Sequence, residues 1–364
     1  MIHRHSICLA LPLLLIACGA APMQPVRVSP DRKAFILAPS GEKFVPWGHN
    51  YASEGLEESA KRSWEKVESD FADLKKMGAN VARIHLQFPK FMDGPNQPNT
   101  AALKRLAHLL ELAEKYGIYL DVTGLACYRP EERAAWYDAM SDKDRWATQA
   151  RFWQTIAATC AKSPAVFCYD LVNEPIVLGE RKDGWYTGRL GGFDFLQRLS
   201  LDQHDRPGNE IAIEWTRLMV AAIRKQDRQH LITIGMLPAW GVSQNAVGPD
   251  LDFIAVHIYP EKGKVDEALR TLKRFDVGKP IVVEETFPLS CGVADLRQFL
   301  LQSRGLAAGW IGHYPKESPA ELEALRQSKK IAIGQTMYLG WFDLFREIGP
   351  EMTGPAALDR KKPH

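Results

Sequence analysis

Two glutamates, Glu174 and Glu285, each lie at the end of a short apolar run and are the residues best placed to do chemistry. Glu174 follows the run that ends at Asn173, and Glu285 closes the run that begins at Ile281. In a parallel barrel the carboxyl ends of the strands meet at one face, so residues at these positions lie near one another. Two facing carboxylates suit the cleavage of a glycosidic bond, in which one acts as an acid and base and the other as a nucleophile or base.

Other polar and aromatic residues lie at the ends of the neighbouring apolar runs. At the same face they would hydrogen-bond sugar hydroxyls or stack on sugar rings. The candidates for substrate binding or for supporting the glutamates are Arg83, Asn173, His257, Tyr259, His49, Asn50, His85, Trp310 and Trp240. Core packing explains Trp240 and Trp47 equally well, and His49 and His85 are either sugar ligands or satisfied rim residues.

Eight apolar runs alternate with amphipathic segments, which is typical of repeated βαβ units. The predicted strands are Phe44–His49, Asn80–His85, Ile118–Thr123, Val166–Asn173, Leu231–Met236, Phe253–Tyr259, Ile281–Glu285 and Ala308–His313. The predicted helices are Trp64–Met77, Ala101–Tyr116, Asp142–Ala161, Asn209–Gln226, Val265–Phe275, Val293–Ser303 and Lys329–Arg346. The runs are rich in Val and Ile, as expected of strands buried on both faces. The pattern predicts an α/β fold, a (β/α)8 TIM barrel in a single domain.

Four motifs resemble glycoside hydrolase family 5 and its clan, and they occur in the family's order. Tyr169–Pro175 looks like the fourth-strand Asn-Glu-Pro motif, and Lys279–Glu285 resembles the seventh-strand nucleophile segment. Asn80–Arg83 is similar to the second-strand arginine motif, and His257–Tyr259 matches the sixth-strand His-x-Tyr motif. The resemblance runs from about residue 35 to residue 345. It implies a cellulase- or mannanase-type retaining glycosidase on a TIM barrel, in a divergent branch of the clan.

The resemblance implies that Glu174 is the acid/base and that Glu285 is the nucleophile. Glu284 competes with Glu285 for the second role, because neighbouring strand side chains point to opposite faces and only one of them can enter the cleft. The family's nucleophile stands five residues after the proline, at Pro280, which selects Glu285. Asp121 is buried by pattern and is expected to be structural.

The same resemblance implies supporting roles for the residues of the other motifs. Arg83 would keep the nucleophile charged, and Tyr259 would donate a hydrogen bond to it. Asn173 would bind the sugar 2-hydroxyl, a contact that strengthens in the transition state. His257 would bond the substrate or orient the acid/base.

Two positions depart from the family pattern. Thr123 stands where the family has a third-strand histidine, and His313 stands where it has the eighth-strand platform tryptophan. Trp310 or Tyr314 would have to supply the platform instead, although Trp310 could equally pack under the helices. These differences concern the substrate and not the pair of glutamates.

The first residues read as an export signal. Arg4 precedes an apolar run from Ile7 to Ile16 that is too short to span a bilayer. The run leads into a lipobox-like sequence ending at Cys18, the predicted lipidation site of a bacterial lipoprotein; ordinary cleavage near Ala20 or Ala21 is the alternative. The expected location is the periplasm or the cell surface, with membrane contact only through this anchor.

The predicted organisation is a signal peptide (1–18), a tether (19–34), a catalytic domain (35–347) and a flexible tail (348–364). The segment from Pro175 to Arg206 is long for a barrel loop, and we expect it to form a wall of the cleft. In an oxidising compartment the cysteines at 127, 160, 168 and 291 could form disulfides, but buried free thiols are as consistent with the spacing.

The composition excludes some classes of partner. A net charge of +2 over 364 residues argues against a nucleic-acid partner, which would require a basic face. The sequence therefore predicts a monomeric retaining hydrolase of β-glucan or β-mannan that needs no cofactor and no metal. A transglycosylase that uses the same residues and a non-catalytic glycan-binding lipoprotein are the alternatives.

Overall fold

The computed structural model describes residues 22–51, 64–177, 184–239 and 241–354. Eight parallel strands form a closed barrel, so the predicted TIM barrel is confirmed. In chain order the barrel strands are β4 (Trp47–Tyr51), β5 (Val81–Gln87), β8 (Tyr119–Ala126), β9 (Val166–Asn173), β13 (Leu231–Met236), β14 (Ile254–His257), β15 (Ile281–Glu285) and β16 (Gly309–Tyr314). The register of β16 against β4 closes the ring, with His313 opposite Asn50. Between β5 and β8 the chain forms a short antiparallel pair, β6 (Met92–Gly94) and β7 (Gln97–Pro98).

Helices connect the barrel strands and cover the outside. They are α1 (Trp64–Lys76), α2 (Phe88–Phe91), α3 (Thr100–Tyr116), α4 (Ala135–Asp138), α5 (Asp142–Cys160), α6 (Gly208–Arg224), α7 (Gln244–Val247), α8 (Val265–Lys273), α9 (Val293–Ser303), α10 (Pro319–Gln327) and α11 (Ile333–Thr353). Gly117 ends α3 with a left-handed backbone, φ +63°, which costs a glycine little and most residues much more. Three of the predicted strands, β9, β13 and β15, have the observed bounds, and most other predicted elements are correct to within three residues.

A small antiparallel sheet closes the amino-terminal end of the barrel. It consists of β1 (Val26–Val28), β2 (Phe35–Leu37) and β3 (Lys43–Phe44). Phe35 is fully buried and packs edge-on against Phe167 and Phe253, with ring centroids 5.3 and 5.2 Å apart. The prediction of a tether over 19–34 is therefore wrong from Val26 onward, because these residues form part of the barrel floor. Residues 1–21 lie outside the described part of the chain.

A hairpin follows β9 at the opposite end of the barrel, where the carboxyl ends of the strands lie. The short strand β10 (Pro175–Ile176) pairs with β12 (Phe193–Arg198), and β12 pairs with β11 (Tyr186–Leu190). Phe195 of this hairpin lies beside the ring of Tyr128, at 5.3 Å, and accepts a weak hydrogen bond of 3.4 Å from the Asn173 amide. The hairpin therefore lies beside Asn173 at the end of β9, which is where the sequence predicted that residues 175–206 form a wall of the cleft.

The last helix is longer than predicted. Helix α11 continues to Thr353, and Ile348 and Met352 are buried because they extend the apolar face that begins at Trp341. The predicted flexible tail from 348 is wrong for these residues, and residues 355–364 lie outside the description. Helix α10, with a capping box at Ser318, was not predicted.

All four cysteines in the described ranges are free thiols. Three of them, Cys127, Cys160 and Cys168, are buried, so the disulfide alternative is wrong and these residues pack as small apolar side chains. None of the described helices is long and apolar enough to cross a bilayer.

Candidate active site

Glu285 is held by two hydrogen bonds at the carboxyl end of β15. Arg83 Nη1 donates to its Oε1 at 2.5 Å, and Tyr259 Oη donates to its Oε2 at 2.6 Å. His257 Nδ1 lies 3.6 Å from Oε2. The Glu285 side chain is 12% exposed, so it is fixed by its neighbours and still open to the cleft.

The neighbours of Glu285 keep it ionised. Burial alone would raise the pKa of this carboxyl, but the positive charges of His257 and Arg83 outweigh burial and lower the pKa well below its usual value. A carboxylate that stays charged and aimed into a cleft is suited to nucleophilic attack.

Glu174 sits on a strained turn directly after β9. Its φ of +49° lies in the left-handed region, which is costly for a residue with a Cβ, and Pro175 follows it. Its amide donates to the Gly235 carbonyl at 2.9 Å, which fixes the turn against β13. Its Oε1 lies 2.8 Å from His257 Nδ1, and the side chain is 13% exposed. Backbone strain of this kind is typical of functional positions, and here it turns the carboxyl toward Glu285.

The carboxyl groups of Glu174 and Glu285 lie close together. One oxygen from each, with a nitrogen of His257, are all within 4.8 Å of one another. In glycosidases a carboxyl spacing of about 5–5.5 Å leaves room for direct attack, whereas about 6.5–9.5 Å leaves room for a water in between. The spacing fits the first case.

Arg83 on β5 joins three strands in the barrel interior. Besides Glu285, its guanidinium donates to Asp170 at 2.7 Å and to the Asn173 side-chain oxygen at 3.0 Å. The arginine is fully buried, and an isolated buried charge would be very unfavourable, so these partners are required. Burial would lower the pKa of Arg83, but the acids around it raise it well above the usual value.

Asp170 was not predicted as part of the site. It accepts hydrogen bonds from Arg83, from the Thr123 hydroxyl at 2.8 Å and from the Gly235 amide at 2.7 Å. Burial and the nearby Glu284 raise its pKa to about 6, against the effect of Arg83. An acid in the middle of the apolar strand β9 was the available signal, because such a residue needs a buried partner.

Glu284 and Asp121 lie below Glu285 in the barrel interior, and both are fully buried. Glu284 Oε2 is 3.4 Å from Arg83 and 3.3 Å from His257 Nε2. Burial and the neighbouring Glu284 charge raise the pKa of Asp121 well above its usual value. Both side-chain oxygens of Asp121 are buried away from the cleft, as the sequence predicted for this residue.

Of the adjacent pair Glu284 and Glu285, one side chain enters the cleft, as predicted, but strand alternation is not the reason. The register of β15 against β14 shifts after Val256, so strict alternation ends there and both side chains contact Arg83. Only Glu285 reaches the cleft surface.

His257 contacts both Glu174 at the cleft and the buried Glu284 below it. Its Nδ1 faces Glu174 and its Nε2 faces Glu284, so both ring nitrogens have carboxylate partners. Burial would lower its pKa, but Glu285, Glu174 and Glu284 raise it to about 10. His257 is therefore a cation that donates from both nitrogens.

Asn50 and His85 support Arg83. Asn50 accepts from Arg83 Nη1 at 2.8 Å, and its amide donates to the carbonyls of Glu284 and Gly312. His85 Nδ1 lies 2.6 Å from the Tyr128 hydroxyl, and burial together with the charge of Arg83 lowers its pKa well below the usual value. These two residues join the site, as Asn173, Arg83 and Tyr259 do. Tyr128, just past β8, was not predicted.

Two predicted site residues point away from the cleft. His49 is fully buried beneath α11, 4.2 Å from the Phe345 ring, and burial lowers its pKa to about 3. Trp310 packs beside Trp47 and donates to the Ser303 hydroxyl of α9 at 2.9 Å. Both predictions are wrong, because strand alternation turns these positions outward.

Tyr314 does not supply the platform either. Its hydroxyl lies 3.3 Å from Asp70 of α1, in the helix layer. His313, between the outward-facing Gly312 and Tyr314, is the β16 residue that reaches the site. Trp240 and Cys18 lie outside the described residues.

Among the described residues, two clusters of carboxyl and imidazole groups have spacings that a metal ion could use. They are Glu174 with His257 and Glu285, and Asp121 with Asp170 and Glu284. Arg83 and His257 lie among these carboxylates and supply positive charge from the chain itself.

The family model of the cellulases, glycosyl hydrolase family 5, matches residues 43–284. The chain belongs to glycosyl hydrolase family 5. The enzyme class predicted from the sequence, a glycoside hydrolase, is confirmed by this match. A comparison with curated proteins finds no significant match.

Solved family 5 structures share the fold of this chain. An exo-β-1,4-mannosidase from Opitutaceae bacterium strain TAV5 is 19% identical with a TM-score of 0.67, and the match covers 91% of this chain but 63% of the mannosidase. A β-1,4-mannanase from the sea hare Aplysia kurodai is 16% identical with a TM-score of 0.60, covering 89% and 96% of the two chains. A β-glucanase from Saccharophagus degradans is 16% identical with a TM-score of 0.60, covering 91% and 94%.

The charge on His257 leads to a testable prediction. Because its pKa is raised from 6.5 to about 10, the stabilisation it provides is complete below about pH 6.5 and is lost as the pH rises toward 10. We expect NMR of ¹⁵N-labelled imidazoles to show both nitrogens of His257 protonated at about pH 8. Glu284→Gln should lower this pKa, and His257→Asn assigns the signal. A neutral ring at pH 8 in the unmodified protein would contradict the charge assignment.

Proposed function

We propose that the protein hydrolyses β-linked glycans with retention of anomeric configuration, with Glu174 as acid/base and Glu285 as nucleophile. The observation that carries the proposal is the pairing of two partly exposed carboxyl groups with oxygens within 4.8 Å of each other. The match to the family model ends at residue 284, so the choice of Glu285 rests on its contacts with Arg83 and Tyr259.

In the first step Glu285 attacks the anomeric carbon while Glu174 gives a proton to the departing oxygen. The bond from carbon to the leaving group breaks, and an ester bond to Glu285 forms. In the second step Glu174 takes a proton from water, the water oxygen attacks the same carbon, and Glu285 is released. Two inversions give net retention.

The surrounding residues prepare both glutamates for these steps. Arg83 and Tyr259 hold the two oxygens of Glu285 in place, which reduces the reorganisation needed at the moment of attack. His257 holds one oxygen of Glu174 and leaves the other for the leaving group. Asn173 is fixed through its oxygen by Arg83, and one amide N–H makes the weak bond to the Phe195 carbonyl, so the second N–H would be the donor to a sugar 2-hydroxyl.

The proposed substrates are β-mannan or β-glucan fragments. Support comes from the names of the similar structures, which include a β-1,4-mannosidase, a β-1,4-mannanase and a β-glucanase. Comparing hydrolysis of β-mannosides with that of β-glucosides distinguishes between the two sugars.

The test is hydrolysis of aryl β-mannosides, aryl β-glucosides and defined oligosaccharides, with the product anomer followed by NMR. We expect the β-anomer to form first. Glu285→Ala should be inactive. Glu174→Ala should lose about 10²–10⁴-fold on natural substrates, less on aryl glycosides whose leaving group needs no acid, and should be rescued by azide.

Other outcomes separate the alternatives. A first product of α-configuration would contradict the retaining mechanism. If wild-type protein binds oligosaccharides but is as inert as Glu285→Ala across the panel, a glycan-binding lipoprotein is the better account. If sugar acceptors capture the intermediate faster than water does, the enzyme is a transglycosylase.

We also propose that the protein is exported and lipid-anchored through Cys18. Val26 of β1 is buried in the barrel floor, at the end opposite the two glutamates. A lipid a few residues before this point would hold the floor toward the membrane and leave the catalytic face open to a polymeric substrate.

The lipid anchor is tested in a bacterial host by metabolic labelling with a palmitate analogue. We expect the full-length chain to be labelled and to sediment with membranes, and Cys18→Ala to lose both properties. Cys8→Ala is the matched control, because Cys8 precedes the predicted cleavage point. Soluble, unlabelled wild-type protein would support ordinary signal cleavage.

A further inference from the structure

His313 is the β16 residue that reaches the catalytic site. Its side chain is 27% exposed, more than Glu174 or Glu285. Its Nε2 lies 2.7 Å from the hydroxyl of Tyr259, and the two rings stack with centroids 5.9 Å apart. Phe287 packs edge-on against the same ring at 5.6 Å, which limits its rotation.

The protons of this contact can be assigned from its partners. Glu285 is ionised and can only accept, so Tyr259 uses its single hydrogen to donate to Glu285 Oε2. The oxygen of Tyr259 is then an acceptor, and His313 must donate to it from Nε2. Burial, with the charges of Arg83 and His257, lowers the pKa of His313, so the ring is neutral and carries its lone pair on Nδ1.

The Nδ1 atom of His313 has a free acceptor site. Within the described residues no hydrogen bond to this atom is found, and it is not among the side-chain nitrogens and oxygens that are buried without a partner. It therefore retains access to solvent at the cleft. A hydroxyl group of a bound sugar is the donor that the proposed chemistry would bring there.

We propose that His313 links substrate binding to the nucleophile. Its Nδ1 accepts a hydrogen bond from a hydroxyl of the sugar ring, and its Nε2–H orients Tyr259, which in turn holds Glu285. Such chains strengthen as each member is polarised by the next, so a correctly bound sugar improves the position of the attacking carboxylate. His313 is thus both a specificity-determining residue and a positioning residue. This inference rests on the proposed role of Glu285.

Two conservative substitutions separate the functions of the ring nitrogens. His313→Gln places an amide N–H near the position of Nε2 and keeps the donor to Tyr259, whereas His313→Asn places an acceptor near Nδ1 and removes that donor. His313→Phe keeps a ring and removes both. We expect kcat/KM on an aryl β-glycoside to fall about 10- to 100-fold for His313→Phe, as expected when a polar group loses its partner in a partly buried site.

The two amide variants should differ in which kinetic constant changes. His313→Asn should mainly lower kcat, and this loss should largely disappear in a Tyr259→Phe background, because the effect passes through Tyr259. His313→Gln should keep most of kcat and raise KM. On a set of monodeoxy glycosides, wild type should discriminate against the one that lacks the bound hydroxyl, and His313→Phe should lose that discrimination.

The outcomes distinguish this inference from the proposed function. Inert wild-type protein, or activity that survives in Glu285→Ala, would overturn the proposed function itself. Normal wild-type activity with unchanged constants in His313→Phe would overturn only the role of His313. His204→Asn, on the exposed surface, is the control for substitution of a histidine. A structural role would give a different result: activity across the His313 variants would fall in proportion to the urea concentration at which each unfolds, and His313→Gln and His313→Asn would show the same kinetic constants. That result would overturn the inference.

Discussion

The rest of this site depends on one buried cation. The guanidinium of Arg83 is sealed inside the barrel and contacts Asp170 and Asn173 of β9 and Glu285 of β15. Leaving such a charge without a partner costs about 3–5 kcal/mol, so the carboxyl ends of β5, β9 and β15 must stay in the positions that satisfy it. The same bonds that meet this requirement also fix the Glu285 carboxylate, so one network sets both the stability and the geometry at the cleft.

A second cation, His257, connects this network to Glu174. Together Arg83 and His257 balance carboxylates that would otherwise repel one another at a few ångströms. Glu284 adds a charge below the cleft, and the close approach of Gly235 makes room for it, since a Cβ there would lie 2.6 Å from Glu284 Oε2. Glu284 therefore helps to raise the pKa of His257 from below, and its buried side chain does not enter the cleft.

The fold and the motif residues could be predicted because each depends on local pattern. The apolar runs predicted the strands, and the motifs predicted that Glu174 and Glu285 lie close together. The sequence did not show which residues of each strand face the barrel interior and which face the helices. His49 and Asn50 are neighbours, and only the closed barrel decides that Asn50 faces inward and His49 lies under α11. The same alternation sends Trp310 into the helix layer. The floor sheet was missed because its strands are only two or three residues long and are stabilised by distant rings.

The central claim is that Glu285, held by Arg83 and Tyr259, forms the bond to the sugar. The most direct measurement is trapping with a 2-deoxy-2-fluoro β-glycosyl fluoride, which slows release of the intermediate, followed by peptide mass spectrometry. The account predicts a single sugar adduct on Glu285 and loss of activity in proportion to labelling. An adduct on Glu284 or Glu174, or complete turnover by an enzyme that never acquires one, would contradict it.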